Sequence, residues 1–153
     1  MNTARMRMTR RCARRMTPGR TYAVAMSYTK KNLRDVEDVA VRHGLSERQE
    51  ARFAQRDLAA EQTGLNLLTV KPGRREAFAH HHRTAEEIYV VLAGSGRVKL
   101  DDELVDLAPL DAVRVGPGVV RAFEAGADGL QVLIFGPHVE GDAEVVQGFW
   151  DEE

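Results

Sequence analysis

Gly73-Arg-Arg-Glu-Ala-Phe-Ala-His-His-His-Arg-Thr-Ala-Glu-Glu-Ile-Tyr-Val-Val-Leu-Ala-Gly-Ser-Gly96 decides how the rest of the chain is read. On an extended strand, residues two apart point to the same face. His80 and His82 therefore aim two imidazoles at one point, and His81 faces away. A few residues on, Glu87 opens the apolar run Ile88 to Leu92, which reads as a buried strand ending near Gly94-Ser95-Gly96. Two imidazoles and one carboxylate converging in this way outline a transition-metal site. Glu86 is the rival carboxylate, and Glu87 is preferred because it begins the strand.

Outward from this stretch, the punctuation is regular. Leu65 to Val70 reads as a strand closed by Lys71-Pro72-Gly73, and Arg74 to His82 as an extended segment. Glu87 to Leu92 and Arg97 to Leu100 read as a hairpin turning at Gly94-Ser95-Gly96, followed by Asp101-Asp102 and a strand over Glu103 to Leu107. Ala112 to Val115, Val120 to Glu124 and Leu130 to Phe135 complete the set, the last two separated by a Gly126–Gly129 turn. About eight short strands with frequent turns predict an all-β jelly-roll barrel. Upstream, Asn32 to His43 has the spacing of a short helix ended by Gly44. A strand from Glu50 is expected to cover a sheet edge. The expected organisation is a basic arm over 1–31, a helix and covering strand over 32–59, the barrel over 60–136 and a C-terminal tail over 137–153.

A chain of 153 residues suits one domain. The lone Cys12 forms no internal disulfide, and no apolar run approaches the roughly 20 residues of a membrane span. A cytoplasmic location is expected. The net charge of −1 hides an asymmetry. Residues 1–34 hold ten of the 22 Lys/Arg and no acid, so the remainder sets twelve Lys/Arg against all 23 acids, a net −11. An acidic body argues against nucleic-acid binding by the domain. The basic arm reads as sequence upstream of a start at Met16 or Met26, with a transit peptide or a nucleic-acid tail as the other readings.

The spacing Gly73, His80, His82, Glu87, Gly94 resembles the first motif of the cupin family: Gly, several residues, His-x-His, three or four residues, Glu, six residues, Gly. The first gap is one residue longer than usual. Leu110 to Ala125 is similar to the second cupin motif at Gly118, but Leu110, Gly116 and Ala125 depart from its Gly, Pro and Asn. Arg121 stands where cupins usually place a fourth ligand, a His. The resemblance covers roughly residues 60–136. It implies a small single-domain barrel of a kind that hosts dioxygenases, isomerases, epimerases and plain ligand-binding modules, so fold does not settle function.

Arginine has no acceptor lone pair and does not coordinate metal. Two arrangements stay open. In one, His80, His82 and Glu87 hold a divalent Fe, Mn, Ni or Zn ion by themselves, and Arg121 grips an anionic substrate beside it. In the other, Arg121 pairs with Glu87 inside the barrel and stands where the metal would sit. Tyr89 and Phe123 are candidate substrate contacts, with packing in the core as the plainer reading. His43 and His138 have no partners in sequence and read as solvated, and Phe149-Trp150 as a terminal clasp. The expectation is a metal-binding cupin acting on a small, anionic molecule, as an oxygenase or isomerase. The alternative is a metal-free module that binds or senses a small molecule without turnover. Neither a membrane nor a nucleic-acid partner is expected, and a homodimer is compatible with the fold.

Overall fold

The computed structural model describes residues 28–150. The basic arm expected over 1–31 lies outside them except for its last four residues. There Lys31 Nζ meets Asp57 Oδ1 at 2.8 Å, tying the chain to the turn after the first strand.

The all-β expectation holds. The described residues form one eight-stranded antiparallel sheet that curls on itself: β1 (Gln49–Phe53), β2 (Thr63–Val70), β3 (Ala79–His82), β4 (Glu87–Leu100), β5 (Glu103–Leu107), β6 (Ala112–Val115), β7 (Arg121–Pro137) and β8 (Ala143–Val146). Hydrogen bonds run in the order β1-β2-β7-β3-β8, and β4 pairs with β5, β6 and β7. No helix among the described residues is long and apolar enough to cross a membrane.

Two expected turns are strand. Glu87 to Leu100 is one continuous strand, and so is Arg121 to Pro137, and the two pair along most of their lengths. Gly94 and Gly96 do not reverse the chain. They sit where the register between β4 and β7 shifts, and they let two backbones approach. A Cβ on Gly94 would lie 2.0 Å from Gly129 O, and one on Gly96 would lie 2.1 Å from Glu124 O. Only glycine leaves room for such contact. The bend lets each long strand serve both ends of the barrel. The hairpin expected at Asp101-Asp102 does form, with Leu100 opposite Glu103.

The expected helix is broken into a 3₁₀ turn over Leu33–Asp35 and a single turn, α1, over Val39–Arg42. Asp38 is the cause. Its Oδ1 accepts from Ala40 N at 3.0 Å and from Ala51 N at 2.9 Å, so it caps α1 and docks it onto β1 instead of continuing a helix. Beyond the barrel, part of the expected tail adds β8, which pairs with β3.

Alternation fills the interior. Tyr89, Val91 and Val98 from β4 meet Phe123, Ala125, Leu130, Val132 and Ile134 from β7, with Leu68 and Val70 from β2. Full burial of such side chains contributes about 1.5–3 kcal/mol each. This core occupies one end of the curled sheet. The other end stays open as a cavity between β1, β2, β3 and α1.

Candidate metal and ligand site

β3 carries the histidines as period two requires. His81 turns outward to Glu144 Oε2 on β8, at 3.4 Å. His80 and His82 turn inward, their rings edge to face at 5.5 Å. Glu87, the first residue of β4, meets them: its Oε2 is 3.2 Å from His82 Nε2 and 3.8 Å from His80 Nε2. Glu86 points out to Arg114 Nη1 at 2.9 Å, so of the two adjacent carboxylates it is Glu87 that faces the histidines.

Below Glu87 lies Arg121, opposite His80 in the register and wholly shielded from solvent. Its Nη2 donates to Glu87 Oε2 at 2.6 Å, its Nε to Tyr89 Oη at 2.7 Å and its Nη1 to Val119 O at 3.1 Å. The Tyr89 hydroxyl donates in turn to Glu87 Oε2. Burial alone would raise the Glu87 pKa, but its neighbours His80, Tyr89 and Arg121 more than offset this and bring it to about 2. Burial of Tyr89 beside that carboxylate pushes its own pKa well up, so the phenol stays protonated and donates. Burial also lowers the His80 pKa and favours the neutral ring.

The other face of His82 is held from the C-terminal segment. Asp142 Oδ2 lies 3.2 Å from His82 Nδ1 and accepts from Ala85 N at 3.0 Å, while its Oδ1 accepts from Thr84 Oγ1 at 2.6 Å and Thr84 N at 3.0 Å. Those hydrogen bonds, led by the Thr84 hydroxyl, hold the Asp142 carboxyl well below the usual range. His82 is thus flanked by a carboxylate at each ring nitrogen. One ring proton satisfies one of them; the facing pair Nε2 and Glu87 Oε2 needs a second proton or a cation between them.

One ligand atom from each of the three residues, two imidazole nitrogens and a carboxylate oxygen, lies within 4.8 Å of the others. His80, His82 and Glu87 are therefore a group able to hold a metal ion. Their two-imidazole, one-carboxylate composition fits a divalent transition ion. Asp142 supplies the outer hydrogen bond that orients a ligating imidazole.

The group closes one end of a cavity of about 300 Å³. Its walls are mostly apolar, with Leu67, Leu68, Phe78 and Ile134 among them, and Glu76, Gln49 and the exposed His43 add polar edge. Among the described residues, no Lys or Arg contributes to this wall. Arg121 lies behind Glu87, and Tyr89 and Phe123 pack in the core, each 1 % exposed. The expected substrate contacts thus stand behind the cavity: Arg121 is enclosed by its own hydrogen bonds, and the two rings stack on each other at 5.2 Å. Sequence reading missed Asp142 and Glu76, whose roles depend on partners 60 and 47 residues away.

Residues 66–135 match the family model described as "Cupin domain". No curated protein matches the sequence. Among solved structures, a cupin protein from Bacteroides fragilis superposes with a TM-score of 0.59 at 22% identity, covering 78% of this chain and 91% of that one. The polyketide cyclase RemF from Streptomyces resistomycificus gives 0.63 at 21% identity, over 77% and 84%. Streptomyces PAC13, in a structure with uridine, gives 0.61 at 17% identity, over 79% and 92%. The family model and the fold of the neighbours agree that residues 66–135 form a cupin domain. At such identities the structural likeness establishes the fold, and chemistry has to be argued from the site.

Proposed function

We propose that this cupin holds a divalent transition metal on His80, His82 and Glu87 and acts on a small, mostly apolar molecule bound in the adjoining cavity. The observation that carries the metal is His82, set between the carboxylates of Glu87 and Asp142 at 3.2 Å each, beside His80 in a group able to hold an ion. With Asp142 accepting a hydrogen bond from Nδ1–H, the Nε2 lone pair would face the site. Tyr89 and Arg121 hold Glu87 in place and keep it ionised. The apolar walls exclude water from the ligand's body. A bound ion would supply Lewis acidity toward a ligand oxygen. Among the described residues the cavity wall holds no Lys or Arg, which favours a neutral ligand over the anion expected from Arg121.

Elemental analysis of chelator-free protein tests this: near one divalent ion per chain, lost in His80→Ala and His82→Ala and kept in His81→Ala. Equal retention in all three would refute it. The ion should leave as the pH falls and the imidazoles take up protons.

A second reading is favoured by the 2.6 Å contact between Arg121 and Glu87. In it the cation already present takes the metal's electrostatic role, and the cavity binds its ligand without metal. Elemental analysis of chelator-free protein separates the two readings: ligand binding with no bound ion belongs to this one.

A further inference from the structure

Two carboxyls line the cavity, Glu76 and Glu87, and one buried guanidinium lies beside them. Arg121 is committed to Glu87, Tyr89 and the Val119 carbonyl. Glu76, 6 % exposed, receives from the described residues one hydrogen bond, Phe123 N to Oε2 at 3.2 Å, and no ion pair. Its position is fixed, because its own N–H donates to Phe123 O at 2.8 Å and the preceding Arg75 pairs with Glu124 at 3.2 Å. A carboxylate buried in an apolar wall with one N–H for company is expensive, and taking up a proton removes the cost.

We infer that Glu76 presents a protonated carboxyl to the cavity, and that its O–H recognises a neutral ligand bearing a carbonyl or similar acceptor oxygen on an apolar body. The inference rests on the reading of the cavity as a small-molecule site and names the class of molecule it takes. Desolvation raises the Glu76 pKa to about 8, so the proton is present at neutral pH. The charged and titratable groups around it are Arg121 on β7 and Glu87 on β4, His43, His80 and His82 around the cavity, and Arg48 and Arg75 on its outer side. Burial outweighs the lowering influence of Phe123 N and Arg121, and Glu87 pushes in the same direction as burial. A cavity of about 300 Å³ admits a bicyclic ring system.

Two measurements test the inference. Carboxyl-carbon NMR of the unliganded protein should show one glutamate titrating near pH 8, absent in Glu76→Gln; a Glu76 already ionised at pH 6 overturns the inference whatever the ligand. Calorimetry then compares 1-tetralone with tetralin, the same body without the carbonyl. The parent should prefer 1-tetralone roughly threefold to tenfold at pH 6.5. Glu76→Gln, which still donates, should keep the preference. Glu76→Met should lose it. A preference unchanged in Glu76→Met, or none in the parent, overturns the assignment and leaves the cavity reading intact. If neither compound binds the parent, the small-molecule reading fails and the inference falls with it.

Discussion

Arg121 and Glu87 form a buried ion pair 2.6 Å long across the strands β7 and β4, at the point where the fourth ligand of the cupin pattern would stand. The pair is a structural commitment. The arginine satisfies the carboxylate and the Tyr89 hydroxyl together, so removing either charge strands the other.

Arg121→Met should therefore destabilise the fold by about 3–5 kcal/mol, the usual consequence of leaving one buried charge unpaired. Glu87→Gln in the same chain should recover a good part of that loss. Urea unfolding of the parent, the two single variants and the double variant measures the coupling. Additive losses would mean that the pair is weak.

Arg121→His addresses the metal. If the guanidinium excludes an ion, the histidine variant gains one divalent ion per chain where the parent has none. If an ion is already held by His80, His82 and Glu87, the variant keeps similar content and releases it more slowly to a chelator. Elemental analysis with a chelator time course reads both quantities.

Asp142→Asn should turn the His82 ring. Asparagine still accepts from Thr84 but offers an N–H where Asp142 Oδ2 accepted from His82 Nδ1. Metal affinity should fall roughly tenfold to a hundredfold, and the proton on His82 should move to Nε2. Ring-nitrogen NMR shows the tautomer directly. An unchanged tautomer would limit Asp142 to fastening Thr84 and Ala85.

Glu76 should make the protein less stable as the pH rises. Its pKa goes from 4.5 in the unfolded chain to about 8 in the fold, so the unfolded state releases its proton first. The folded state is unpenalised below pH 4.5, loses stability between pH 4.5 and 8, and carries the full cost above. At one pKa unit to about 1.4 kcal/mol, the loss by pH 7 is on the order of 3 kcal/mol. Glu76→Gln removes the dependence. Its stability gain over the parent should be several-fold larger at pH 8 than at pH 4.5, measured by urea unfolding at each pH.

The trio of His80, His82 and Glu87 was legible because its signal is local: alternation on one strand set the histidines, and the start of the next strand chose between Glu86 and Glu87. The hairpin at Gly94 was misread because Gly-Ser-Gly has the same composition whether it reverses a strand or lets two strands touch. The partner that decides between these, the Gly129 carbonyl, is 35 residues away. Arg121 was legible as an exception to a pattern, and both of its possible roles were visible. Choosing between them required knowing that Tyr89 and Val119 close around it. Glu76 and Asp142 gave no local signal, since an isolated acid in a loop reads as solvated until the strands that bury it are in place.

The strand β8 has β3 as its one sheet neighbour, and it carries Ala143 and Val145 into the cavity wall directly after Asp142. A strand held along one edge opens more readily than the core. Were β8 to lift, the wall would part and His82 would lose its contact with Asp142 in the same motion, so access to the cavity and the setting of the histidine ring would be coupled. Amide exchange at Val145 and exchange broadening of the His82 ring should report a common rate, and independent rates would uncouple door from trigger.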